Sequence, residues 1–148
     1  FNNPKKYKFE CATALVIAYH KAILDLIGPK DFDANFKDLK MGPWKYSDTF
    51  KQYWGTVNSG KPFQVGQYGY IKNSQVDAIS WCKGWQGENV ISLGGDKYYG
   101  HMYGITTGQK MIEAMNKHRN VWAKHSAAMT DVRGDISASV LKLDKTPE

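Results

Sequence analysis

Cys11 follows Glu10 at the head of an apolar stretch that runs from Ala12 to Tyr19. A thiol at a helix start meets unpaired first-turn amide N–H groups and the positive end of the helix dipole, and both favour thiolate. Thiolate is the nucleophile of acyl transfer. The competing use of such a cysteine is as a small buried hydrophobe. Further along, Glu88 and His101 flank a Gly94-Gly95 pair. If that pair forms a two-residue turn, Glu88 stands directly opposite His101, with Cβ atoms about 5 Å apart. A carboxylate facing an imidazole fixes its tautomer and raises its pKa. A three-residue turn would shift the register by one and lose the opposition, leaving His101 as a satisfied histidine among Tyr99 and Tyr103.

These residues need elements to hold them. Residues from Glu10 to Ile27 carry Ala12, Ala14, Leu15, Ala18, Leu24 and Ile27, a pattern suited to a largely buried helix. Gly28-Pro29 stops it, because Gly takes the left-handed cap and Pro cannot continue the helix. Phe32 to Leu39 suits a second short helix. Residues 41–66, rich in Gly, Pro, Ser, Asn and aromatics, read as long loops with short strands. Strands are expected at Tyr68–Lys72, Glu88–Leu93 and Tyr98–Ile105, the last two joined by the Gly94-Gly95 turn. Thr106 is placed to cap a helix beginning near Gly108, with Met111, Ile112 and Met115 on its buried face. A further weak helix is expected within residues 121–145. Helix, then a small antiparallel sheet, then helix is an α+β pattern.

The chain has 148 residues, a length suited to one domain with a sizeable core, and the whole of 1–148 reads as a single catalytic domain. Residues 1–9 form a polar lead-in and about 141–148 a tail. The first residue is Phe1 rather than Met, so a processed product or a fragment of a larger polypeptide is expected. Net charge is +6, but the densest basic run is only Lys5-Lys6-Tyr7-Lys8 and no nucleic-acid-binding signature accompanies it. The longest apolar stretch is far short of the ~20 residues that cross a bilayer. Nucleic-acid and membrane partners are therefore not expected. Two cysteines, Cys11 and Cys82, leave at most one bridge, and neither has the spacing of a zinc site. No Asp-x-Asp-x-Asp-Gly calcium loop is present, so neither metal nor cofactor is expected. Cys82 reads as an incidental thiol, and His20, His118 and His125 as surface or capping groups on helices.

A thiol at a helix start with an acid and an imidazole on a hairpin is the layout of papain-like acyl transfer. That layout alone leaves peptide hydrolysis, deamidation and transamidation open. The stretch Phe9-Glu10-Cys11-Ala12-Thr13-Ala14, running on to Ile27-Gly28, resembles the nucleophile region of the Bacillus spore-coat protein-glutamine gamma-glutamyltransferases. Tyr70-Ile71-Lys72-Asn73 resembles a strand of that family. Gly87-Glu88-Asn89-Val90-Ile91-Ser92-Leu93-Gly94, followed by Asp96-Lys97-Tyr98-Tyr99 and His101, is similar to its Gly-Glu-Asn-Val-Ile segment with the same spacing to a histidine. The likeness covers about residues 7–120 and extends more weakly to about 140.

The resemblance implies a papain-like, transglutaminase-like core with an N-terminal catalytic helix packed on the sheet. It implies Cys11 as nucleophile, Glu88 as its partner, and Glu10 as a second glutamate able to substitute partly. His101 then becomes an auxiliary or structural residue. Protein glutamine donors and lysine amine acceptors become the expected partners. Trp44, Trp81, Trp85 and Tyr99 are candidates to line a substrate passage that limits water, with core packing as the alternative role of the tryptophans. Departures from the family are Gly66-Gln67-Tyr68, which lacks an acidic residue, and Pro43, which replaces one ahead of Trp44. The resemblance also implies a long region ahead of the matched segment in the family enzyme, which the 148 residues do not include. The setting implied is a spore coat or a secreted effector. Two other readings stand beside the transglutaminase: a glutamine deamidase or cysteine peptidase, and a binding module that keeps the fold without its chemistry.

Overall fold

The computed structural model describes residues 9–40, 42, 48–56, 62–74, 76, 84–119 and 122–137. The chain divides into two compact units, Phe1–Gly55 with Ile136–Glu148, and Thr56–Asp135. Among the described residues the helices are α1 (Cys11–Ile27), α2 (Pro29–Asn35), α3 (Asp48–Tyr53) and α4 (Gly108–Asn116). The strands among them are β1 (Trp54–Thr56), β2 (Tyr68–Lys72), β3 (Gly87–Gly94), β4 (Lys97–Gly100), β5 (Gly104–Thr107) and β6 (Ala128–Ile136). No helix among the described residues is long and apolar enough to cross a membrane.

In the first unit, α1 buries Ala12, Leu15, Val16, Tyr19, His20 and Ile23, the three-to-four spacing of a helix stripe. The Gly28 N–H closes the helix on the Leu24 carbonyl at 2.9 Å, with Gly28 at φ +84°. Pro29 then opens α2, where its missing N–H costs nothing. The second helix thus starts and ends earlier than the Phe32–Leu39 expected from apolar spacing. Phe32 and Phe36 stack at 4.6 Å and meet the His20 ring edge-on. Phe50 of α3 stacks on that ring at 4.7 Å. His20 is therefore fully buried, which corrects its reading as a surface group. Asp38 caps α3, accepting the Asp48 N–H at 2.7 Å and the Thr49 hydroxyl at 3.0 Å. That long-range cap accounts for a helix in a stretch whose composition reads as loop.

In the second unit the strands run β6-β2-β3-β4-β5, each neighbour antiparallel. Residues 88–92 of β3 are buried at every position, so both faces of this strand are covered. On one face Ile71, Val90 and Tyr98 meet Met111 and Met115 of α4, together with Ala127. Thr107 caps α4 by accepting the Lys110 N–H at 3.3 Å, one residue later than expected. Asn73 donates to the Met115 carbonyl at 3.0 Å, and Asn116 accepts the Ala127 N–H at 2.8 Å. These bonds steer the chain from α4 into β6. The expected helix within 121–145 is thus corrected: Ala128–Ile136 is a strand paired to β2.

Candidate active site

Cys11 is the first residue of α1, and Glu10 is its N-cap. Glu10 Oε2 accepts the Ala12 N–H at 2.9 Å, while Oε1 accepts the Thr13 N–H and the Thr13 hydroxyl, both at 2.6 Å. The Cys11 Sγ lies 3.9 Å from Glu10 Oε2. A carboxylate at this end of a helix is favoured by the dipole, by about 0.3–1 kcal/mol when exposed. Two of the first-turn N–H groups expected to lie unpaired near the sulfur are thus taken by Glu10. Cys11 is half-buried and its sulfur has a carboxylate beside it, able to take and return a proton. Thr13 is the residue that sequence reading passed over. Its signal is a hydroxyl three positions after an acidic cap, the reverse order of a capping box.

Glu88 is the second residue of β3 and is 1% exposed. Its side chain falls on the face shared with Val90 and Ser92, the face of the apolar cluster. Oε1 accepts the Met102 N–H at 3.2 Å. Burial and then the negative charge of Glu88 push the Tyr103 phenol up to about 12. The same two causes, in the same order, raise the Tyr99 phenol. Both tyrosines therefore remain neutral phenols beside the carboxylate.

The expected opposition of Glu88 and His101 is corrected by the register. Val90 pairs with Gly100, Ile91 with Tyr99 and Ser92 with Tyr98, after which one extra residue on β3 shifts the pairing to Gly94–Lys97. The turn residues are Gly95 and Asp96, at φ +56° and +59°, not Gly94-Gly95. Positive φ at both central positions is what a type I′ turn requires, and Asp tolerates it. The expected strand Tyr98–Ile105 is instead two strands, β4 and β5, joined by a turn closed by the Tyr103 N–H on the Gly100 carbonyl at 3.1 Å. His101 sits exposed in that turn, and it is the neighbouring Met102 backbone that reaches Glu88.

Among the other candidates, Trp85 stacks on His118 at 3.5 Å between centroids and meets Tyr103 edge-on at 6.4 Å. His118 is thus half-buried in an aromatic group rather than a plain surface residue. Tyr99 is half-buried in β4. Trp44, Trp81 and Cys82 lie outside the described residues. Among the described residues no group of three or more His, Cys, Asp or Glu could hold a metal ion.

The sequence pattern of the protein-glutamine gamma-glutamyltransferases matches residues 1–144. A protein-glutamine gamma-glutamyltransferase of Bacillus pumilus is 38% identical over 128 residues, covering 86% of this chain and 49% of the relative. One from Bacillus cereus is 35% identical over 147 residues, covering 99% of this chain and 51% of the relative. The chain thus spans about half the length of the curated relatives it matches. A solved structure of a transglutaminase from Geobacillus stearothermophilus, without its C-terminal extension, superposes with a TM-score of 0.79 at 34% identity. The superposition covers 94% of this chain and 64% of that one. With the family pattern running over nearly its whole length, this α+β chain belongs to the protein-glutamine gamma-glutamyltransferase family.

Proposed function

We propose that the protein cross-links other proteins through a cysteine thioester, with Cys11 as nucleophile and Glu88 as the principal proton carrier. The family match over residues 1–144 carries this reading. Two local arrangements support it: a thiol at a helix start with a carboxylate 3.9 Å from its sulfur, and a buried glutamate held by a backbone N–H. The Cys11 sulfur attacks the carboxamide carbon of a glutamine side chain. The carbon–nitrogen bond breaks and ammonia leaves with the proton that the thiol gave up, leaving a thioester. A lysine amine then attacks the thioester carbon, the carbon–sulfur bond breaks, and the amine's proton returns to sulfur. The product is an isopeptide bond; water in place of the amine gives glutamate. Glu10 serves as a second carboxylate at the sulfur and His101 as an auxiliary. Trp85 and Tyr99 line the approach and limit water.

The test incubates the protein with a glutamine-rich protein, with and without a labelled primary amine, and reads the products by mass spectrometry. The expected result is amine incorporation that disappears in Cys11→Ala. A gain of about one mass unit at glutamine without amine incorporation assigns deamidation instead, and backbone cleavage assigns a peptidase. Identical products from wild type and Cys11→Ala would overturn the thiol chemistry altogether.

A further inference from the structure

Glu88 is held from two directions by the segment that ends β4. The Met102 N–H reaches Oε1 at 3.2 Å from the turn. Gly100, opposite Val90, brings its backbone so close that a Cβ there would stand 3.0 Å from Glu88 Oε1 and 3.3 Å from Glu88 Cγ. Its third neighbour would be Met111 Cε of α4, also at 3.3 Å. Gly100 is at an ordinary negative φ, unlike Gly104 four residues on at φ +66°, so its backbone conformation does not demand glycine. Space does. The Cβ that any other residue would add presses closely on the buried Glu88 side chain.

We propose that Gly100 is a positioning residue for the reaction: the bare backbone at this point sets where the Glu88 carboxylate rests. This inference stands on the reading that Glu88 moves the proton. A Cβ at this site must push the carboxylate aside by a few tenths of an ångström, and it competes with the bond that the Met102 N–H makes. Proton transfer is sensitive to displacements of that size, because a misplacement of about 1 Å costs on the order of a hundredfold in rate. Gly100 itself has no side chain with which to contact substrate. The effect therefore falls on kcat and leaves KM in place.

The decisive measurement is a double-mutant cycle on the full chain, using initial rates of amine incorporation. Gly100→Ala is expected to lower kcat by about tenfold with KM within about twofold. In a Glu88→Asp background the carboxylate is withdrawn by one methylene, clear of the added methyl. There Gly100→Ala is expected to cost less than about twofold. Equal losses in both backgrounds, or a change in KM alone, would overturn the proposal. Because the added methyl also meets Met111, Gly100→Ala with Met111→Val is measured alongside, with near-ultraviolet circular dichroism as the test of folding. Recovery of kcat on shortening Met111 assigns Gly100 to core packing and overturns the positioning role; a persistent kcat loss in a folded protein supports it. Loss of the fold in both variants likewise assigns Gly100 to packing and overturns it. Glu88→Gln separates the underlying reading: if that variant keeps wild-type kcat, Glu88 is not the proton carrier, whatever Gly100 does.

Discussion

Glu10 Oε2 lies 3.9 Å from the Cys11 sulfur while the same carboxylate caps the helix that Cys11 begins. One side chain thus serves two ends. It satisfies the N–H groups of Ala12 and Thr13, and it places a proton acceptor at the thiol.

Those two roles separate on substitution. Glu10→Ala removes both, and is expected to destabilise the protein by about 1 kcal/mol in urea unfolding. Glu10→Asn keeps a short capping oxygen and is expected to recover most of that stability. Neither variant restores the carboxylate, so both are expected to lose activity by a similar factor, about three- to tenfold. Recovery of activity in Glu10→Asn would leave Glu10 as a cap alone.

His101 and Glu88 are expected to part company in the rate assay. His101 stands exposed in the turn after β4, whereas Glu88 is buried and bonded to the Met102 N–H. Glu88→Gln is expected to lower kcat by about a hundredfold or more, and His101→Gln by less than about threefold. Equal losses would return His101 to the rank of principal base.

His20 makes stability depend on pH. Burial among Phe32, Phe36 and Phe50 lowers its pKa from 6.5, against the raising effects of its bond to the Val16 carbonyl and of the Asp38 charge. Nδ1 carries the proton donated to Val16 O at 2.8 Å, and Nε2 has no partner among the described residues. The unfolded chain therefore takes up a proton at higher pH than the folded one. This contribution is intact above pH 6.5 and is lost as pH falls from there toward the lowered folded value. Urea midpoints between about pH 7.5 and about pH 5 are expected to fall, and more steeply than those of His20→Phe. Parallel curves would sink the assignment.

Gly87, one residue before Glu88, is expected to tolerate no side chain. A Cβ there would overlap the Tyr70 hydroxyl and the ring carbon that bears it. Gly87→Ala is expected to destabilise the protein by about 1–3 kcal/mol, the range of overpacking. Adding Tyr70→Ala is expected to return part of that loss in urea unfolding. If Gly87→Ala alone unfolds at the wild-type midpoint, Tyr70 does not occupy that space.

Short-range chemistry made much of this protein legible in its sequence. The apolar stripe of α1, the Gly28-Pro29 break, the Met111–Met115 face of α4 and the neighbourhood of Cys11 with Glu10 all depend on residues within a turn or two of each other. The motifs around Cys11 and Glu88 carried the family for the same reason, since they are contiguous runs. What tertiary structure decided is everything that pairs distant segments. Residues 128–136 become a strand because β2 offers them an edge, and that edge is absent from their own sequence. Asp38 makes a helix of residues 48–53 from ten positions away. His20 is buried because three phenylalanines from later segments close on it. The Glu88 environment turned on register: the turn lies at Gly95-Asp96 rather than Gly94-Gly95, which moves the pairing by two, and one extra position in β3 takes back one, a net shift of one. Side chains alternate along a strand, so that shift took His101 from its expected place opposite the carboxylate. Gly100 and the Met102 N–H hold Glu88 instead.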